Sequence, residues 1–380
     1  MARIVLGSTM IRYPLGGMNQ WVLGWLRGFK QLGHDVYLVE KSGWADSCYD
    51  PSRLVMSDDC SYGATVVADL LARYGLEDNW CFVDAQDEYF GMSRRRVEEV
   101  FRSADVFVDL EWDEWLEEAA HADVRVFVDG EPGWFQMKME NSLRAGERLP
   151  SYDYYFTDGR NIGTARSPSP TAGQVWGHIF TPVLVSDFSS APPAEKGAPF
   201  TTVMNWQSHK HLEFEGVVYG QKDVEFMKFL DLPQLTDVPL EAAISGKVPR
   251  DQLERHGWHI LNADDVAVSV DSYRDYILGS RGEFSVAKNV FVEANVGWLG
   301  DRPGYYLAAG RPVVVQDTGI SDHLPCGRGL FAVRTAEEAA GALNEIVGDY
   351  DRHSRWGREL AAEYLDAPKV LRAMLDDIGL

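Results

Sequence analysis

Two hydrophobic rhythms alternate along the chain. Short apolar runs, "RIVLGS", "HDVYLVE", "NWCFVD", "DVFVDL", "VRVFVDG" and "YDYYFTD", predict buried strands. Between the first two, Val22, Trp25, Leu26, Phe29 and Leu32 recur at helical spacing. They predict a helix over residues 18–32, ended by Gly33, where a left-handed cap favours glycine. "ATVVADLLARYG" and "SRRRVEEVFRSA" predict two more helices. Parallel strands joined by helices make an α/β sheet.

Residues 187–199, "DFSSAPPAEKGAP", break the rhythm and predict a linker rich in Ser, Ala and Pro. A second α/β series follows. "FTTVMNW", "EFSVA", "RPVVVQD" and "LFAVRT" predict strands; "KDVEFMKFLDL", "PRDQLERHG" and "SVDSYRDYILGS" predict helices. Val313 to Val315 suit a strand buried on both faces. Thr335 with Glu338 predicts a capping box, and the chain beyond residue 349 is predicted helical. The expected architecture is α/β: two doubly wound, Rossmann-like domains, residues 1–190 and 200–350, facing across a cleft. Residues 351–380 are expected to form C-terminal helices that cross back to the first domain. In such sheets ligands bind beyond the carboxyl ends of the strands.

Composition narrows the partners. With 380 residues and 45% hydrophobic content, the chain is long enough for two globular cores. Its net charge of −22 argues against nucleic acid or an anionic membrane as the main partner. Any anion it binds must therefore meet a local positive site. The four cysteines form no C-x-x-C pair and no zinc spacing, so reduced thiols, no metal and a cytoplasmic location are expected. The N-terminus lacks the long apolar region of a signal peptide, and no run reaches the roughly 18 apolar residues of a membrane span.

Candidate chemistry concentrates in "GWLGDRPGYYLAAGRPVVVQDTG". Gly297, Gly300 and Gly304 would let backbone approach a ligand, and Pro303 suits a first helical turn. A helix start offers N–H groups to phosphate, and Arg302 adds a planar fork of donors. Its removal is expected to weaken diphosphate binding and leave folding intact. Asp301 could meet a ribose or sugar hydroxyl. Asp317, Thr318 and Gly319 end the following strand where a donor sugar could lie. Lys222 precedes a predicted helix and Lys288 follows a predicted strand; both could pair with phosphate. On the other side, Gly16 and Gly17 follow the first strand. Glu131 and Asp129 directly follow the strand in "VRVFVDGEPGW". Glu131 is the first choice for a general base and Asp129 its alternative or its orienter. Asp158 and His178 are secondary candidates.

"YYLAAGRPVVVQDTG" resembles the helix–strand step of the C-terminal domain in GT-B glycosyltransferases. "YPLGGMNQWVLGWLRGFKQLGHDVYLV" resembles the first βαβ unit of that fold, and "VVYGQKDVEF" its Lys-bearing donor segment. "DGEPGWFQ", "YYFTDGRNIG" and "SRGEFSVAKN" resemble a bacterial branch of such enzymes. The resemblance covers nearly the whole chain. It implies an N-terminal acceptor-binding domain, a C-terminal nucleotide-sugar domain and metal-independent sugar transfer to a hydroxyl of a small-molecule acceptor. The nucleotide sugar is then a substrate, and no cofactor is implied. Two glutamates eight positions apart mark many retaining GT-B enzymes, and a loop histidine marks many inverting ones. Aligned on Gly310, the glutamate positions hold Gly297 and Tyr305, so both marks are missing. The alternatives are an epimerase or hydrolase on the same fold, or a non-catalytic two-domain binding protein.

Overall fold

The computed structural model describes residues 1–112 and 114–380. Two sheets organise it. The first has eight strands, in the order Trp176–His178, Tyr154–Thr157, Val124–Asp129, Val106–Asp109, Arg3–Gly7, Asp35–Lys41, Trp80–Val83 and Tyr89–Gly91. All its pairings are parallel except that of the last strand. The second sheet has six parallel strands, ordered His259–Asn262, Leu240–Ser245, Phe200–Asn205, Gly282–Ser285, Val313–Gln316 and Leu330–Val333. Among the described residues no helix is long and apolar enough to cross a membrane.

Each sheet grows outward from its first strand, then returns to that strand's other side. The order therefore reverses beside Arg3–Gly7 in one sheet and between Phe200–Asn205 and Gly282–Ser285 in the other. Such a reversal opens a crevice, because successive connections leave in opposite directions.

Alternation along the strands feeds two apolar layers per sheet. Ile4 and Leu6 pack on one face and Val5 on the other; Val314 faces one way and Val313 and Val315 the other. One first-sheet layer runs on into the second half of the chain. Phe107 and Phe127 share a cluster with Val290, Phe291, Ala294 and Val296. The carboxyl edges of the two sheets thus meet along a packed seam.

The helix Gly16–Gln31 begins two residues before the periodicity places it, and Gly33 caps its end at φ +85°. Thr335 caps its helix by accepting from the Glu338 N–H at 3.2 Å. Glu338 reaches the Arg334 N–H instead of closing the box. "KDVEFMKFLDL" makes one α-helical turn, Lys222–Phe226, then a 3₁₀ turn at Met227–Phe229. Strands Leu240–Ser245, His259–Asn262 and Trp176–His178 were not legible in the apolar pattern. In the Ser/Ala/Pro-rich stretch most of the chain from Ser189 on is exposed, but Asp187 and Phe188 are tied down. Arg27 clasps Asp187, and Phe188 stacks on Tyr305 at 5.8 Å. The final helix, Ala367–Asp377, lies on Gly16–Gln31, where Gly28 faces Ala367 and Leu371.

A Cβ on Gly24 would stand 2.4 Å from the Pro182 carbonyl oxygen, a backbone atom that cannot rotate away. Gly24→Ala gains up to about 1 kcal/mol of helix propensity. Overpacking costs about 1–3 kcal/mol. The net expectation is a lowered urea midpoint; an unchanged or raised midpoint would show that the contact yields.

Candidate active site

The strand Val124–Asp129 ends in a buried aspartate. Asp129 Oδ1 accepts from the Glu131 N–H at 2.8 Å; Oδ2 accepts from Gln136 Nε2 at 2.7 Å and Thr157 Oγ1 at 2.9 Å. Burial raises its pKa to about 6 against these hydrogen bonds. The bonds to the Glu131 N–H and to Gln136, which itself accepts from the Gly133 N–H, hold the turn that presents Glu131, and Thr157 ties it to the neighbouring strand. The turn then passes through Gly133, at φ +82°, into helix Trp134–Arg144. A Cβ at Gly133 would lie 2.9 Å from Val296, so glycine lets the turn reach the loop after residues 289–293 in the second half of the chain.

Glu131 projects across the seam. Both its oxygens hydrogen-bond the Lys288 ammonium, and His209 Nε2 stands 3.8 Å from Oε1. His209 stacks on Trp134 with ring centres 4.7 Å apart. Burial alone would raise the Glu131 pKa, but Lys288 and His209 outweigh it and draw it down to about 2. Glu131 is a third exposed, whereas Lys288 is only 7% exposed.

The cations gather at the reversal point of the second sheet. Lys288 follows Gly282–Ser285, and Lys222 follows the connection out of Phe200–Asn205. Arg302 bridges the same two strands. Its Nε donates to Glu283 Oε1 at 2.6 Å and its Nη1 to the Val203 carbonyl at 2.5 Å. Arg302 is therefore no free loop residue: it starts the helix Arg302–Ala308 and neutralises a fully buried glutamate. Lys222 makes no hydrogen bond or ion pair with the described residues. Burial, then Arg302 and Lys288, lower its pKa to about 7. A lysine held this way gains most by meeting an anion.

The remaining candidates divide by use. Gly300 adopts φ +81°, the left-handed region, in the loop before the helix. Gly304 is buried, and a Cβ there would strike Val183 at 2.7 Å, so it serves packing. Asp301 precedes Arg302, and burial raises its pKa. Asp317 is committed inside its own turn, accepting from Gly319 N–H at 2.9 Å, Ser321 Oγ at 3.0 Å and Arg334 at 2.8 Å. Thr318 Oγ1 clamps both the N–H and the carbonyl of Trp298. Gly319, at φ +89°, faces Asn161 and Asn295. Gly16 lies where a Cβ would come 2.2 Å from the Ser269 carbonyl oxygen, and Gly17 faces the Tyr273 ring. Gly16 thus admits the second half of the chain to the first helix, whereas at Gly17 a Cβ would only touch the Tyr273 ring, at 3.7 Å.

Asp158 accepts from Trp298 Nε1 across the seam at 2.9 Å. His178 Nε2 lies 2.9 Å from the Ile162 carbonyl oxygen and away from these groups, and burial lowers its pKa. His209, Trp298 and Glu283 were missed in the sequence. His209 sits in a polar loop with no periodic signal, and the tasks of the other two depend on distant partners. Among the described residues no group of three or more His, Cys, Asp or Glu is placed to hold a metal ion.

No family model matches the chain. No curated protein matches it either. Solved structures do. An alpha-glucosyltransferase in complex with UDP and a 13-mer DNA containing a central A:G mismatch aligns over 100% of both chains, with TM-score 0.59 and 9% identity. Anabaena Alr3699/HepE in complex with UDP-glucose aligns over 100% of this chain and 99% of its own, with TM-score 0.54 and 11% identity. The pneumococcal O-GlcNAc transferase GtfA in complex with UDP and GlcNAc aligns over 99% and 98%, with TM-score 0.50 and 8% identity. The chain has the GT-B fold.

Two outcomes follow from the buried cations. Labelled-lysine NMR, assigned with Lys222→Arg, should show a Lys222 midpoint near pH 7. The value of an exposed lysine, about 10.4, would contradict the burial argument. Arg302→Ala leaves Glu283 buried without its ion-pair partner and should destabilise the protein by about 3–5 kcal/mol in urea unfolding. Unchanged stability would return Arg302 to the role of a free ligand.

Proposed function

We propose that the chain is a nucleotide-sugar glycosyltransferase, moving a sugar from a nucleoside diphosphate donor to a hydroxyl of a small-molecule acceptor. The observation that carries this reading is the convergence of Lys222 and Lys288 at the reversal point of the second sheet, beside the structural Arg302–Glu283 pair. In a chain of net charge −22, two lysines brought together there make a local site for a diphosphate. The same net charge favours a small acceptor over a polyanion.

Donor and base compete for Lys288. Without donor, Glu131 neutralises it and is a poor base, at a pKa of about 2. A diphosphate that takes Lys288 frees the carboxylate. Burial then acts on Glu131 with less opposition and raises its basicity. In the reaction, the acceptor oxygen bonds to the anomeric carbon as the bond to the diphosphate oxygen breaks. The hydroxyl proton passes to Glu131 and the electron pair leaves on the diphosphate. Fixed cations facing that oxygen lower the barrier without rearranging. Asp129 acts as orienter, through its hydrogen bond to the Glu131 N–H. Asp301 and Gly300 border the sugar end of the site, and the turn Asp317–Gly319 supports the Trp298 loop.

A thermal-shift screen of nucleoside diphosphates should find one that stabilises the protein. Glu131→Gln should lower transfer from that donor by about 10²–10⁴. In calorimetry the same variant should bind the free diphosphate more tightly than wild type, because Lys288 no longer has to leave a carboxylate. Near wild-type turnover would remove Glu131 as the base. Weakened diphosphate binding would refute the competition for Lys288.

A further inference from the structure

The Glu131 carboxylate sits in an anion site, and its two partners mark what else fits there. Lys288 bonds both of its oxygens, and His209 Nε2 stands 3.8 Å from Oε1. One carboxylate carries one negative charge, which the Lys288 ammonium alone matches. A second nitrogen able to donate there suits an anion of higher charge. The place is open to solvent: the Glu131 side chain is 34% exposed and that of His209 38%.

His209 is brought there by an arm from the second half of the chain. The arm leaves at Trp206, whose N–H donates to the Ser245 carbonyl at 2.9 Å. It returns at Gly220, whose N–H donates to Asn289 Oδ1 at 2.8 Å, in the residue after Lys288. Both roots thus lie at the sheet edge that carries Lys222 and Lys288. Between them Leu212–Phe214 and Val217–Tyr219 pair antiparallel. Glu215 (φ +52°) and Gly216 (φ +77°) both take the left-handed region that suits a two-residue hairpin turn. The hairpin docks on the first half. Phe214 is buried in the apolar layer shared by the two halves. Asn141 Nδ2 donates to the Glu213 carbonyl at 3.1 Å, and Arg144 pairs with Glu215 at 2.9 Å. The arm therefore lies along the helix Trp134–Arg144. At the near end of that helix the His209 ring stacks on Trp134, with planes 19° apart, which holds the imidazole beside Glu131.

We propose that His209 is a diphosphate-binding residue: with Lys288 it grips the donor's phosphate oxygens, and Glu131 holds that place until the donor arrives. The inference rests on the glycosyltransferase reading and deepens it. Carboxylate and phosphate both offer N–H donors a pair of acceptor oxygens, so one set of donors fits either. When the diphosphate enters, Lys288 and His209 pass from Glu131 to it, and the carboxylate is left for the acceptor hydroxyl. Because the arm is rooted in one half and docked on the other, the grip is complete only when the two halves are together.

Calorimetry tests this, with inorganic pyrophosphate and the diphosphates of uridine, guanosine, adenosine, cytidine and thymidine as probes. His209→Ala should weaken the best-bound probe about tenfold, the worth of a hydrogen bond to a charged group. Lys210→Ala removes the adjacent exposed charge and should change affinity by less than about twofold, since exposed charges are screened. The same loss should appear when His209→Ala is added to Glu131→Gln, where no carboxylate competes. Labelled-histidine NMR on wild type, assigned with His209→Gln, reads the contact directly: the His209 Nε2 resonance should move on saturation with the probe. A loss in His209→Ala no larger than in Lys210→Ala, or an unmoved Nε2 resonance, would overturn the assignment. Wild type that binds none of the probes would instead overturn the glycosyltransferase reading beneath it.

Discussion

The Glu131 carboxylate and the Lys288 ammonium follow strands of opposite sheets and meet across the seam between them. Taking two charges out of water is costly, and their attraction seldom offsets that by itself. Here the surrounding packing holds them together. Gly133 lets the Glu131 turn approach Val296, and Phe127 shares an apolar cluster with Phe291 and Ala294. The Asn161 N–H donates to the Val296 carbonyl at 2.8 Å, and Asn161 Nδ2 to the Asn295 carbonyl at 2.9 Å. The two halves are thus closed on each other, with the ion pair where a ligand's charge would have to enter.

That placement makes the site a balance between acids and bases. Three cations stand at the reversal point of the second sheet, and three carboxyls, Asp129, Glu131 and Asp158, follow strands of the opposing sheet. The fold gives each carboxyl a different setting. Asp129 is saturated by hydrogen bonds, Glu131 is ionised by Lys288, and Asp158 keeps one oxygen free. Neighbouring strands show how partner choice decides the role. Val106–Asp109 also leads into Asp-x-Glu, as Asp109 and Glu111, and Asp109 too accepts backbone N–H groups. Glu111 pairs with Arg12, 3.0 Å away within the same half, instead of crossing the seam.

Much of the fold was legible because helices and buried strands announce themselves locally. The Val22-to-Leu32 stripe, the run of valines at 313–315 and the cap at Thr335 each reflect contacts within a few residues. Leu240–Ser245 escaped notice because "LEAAIS" contains two alanines, which suit a helix as well as a strand. His259–Asn262 is a short edge strand with a polar residue at each end. Both became strands because Phe200–Asn205 offers Leu240–Ser245 a partner, and Leu240–Ser245 offers one to His259–Asn262.

The sequence alone determined the α/β class, the two series of elements and the concentration of candidate chemistry near strand ends. Periodicity, turn residues and caps act over one or two turns of chain, so those features are written locally. The tertiary structure decided which candidates meet. Lys288 and Glu131 are 157 positions apart, and Trp298 and Asp158 are 140 apart. It also turned Arg302 inward to Glu283, drew Asp317 and Thr318 into supporting a turn, and brought His209 onto Trp134. Charge, burial and orientation at those positions arise only when two sheet edges close on one another, and no local pattern encodes that closure.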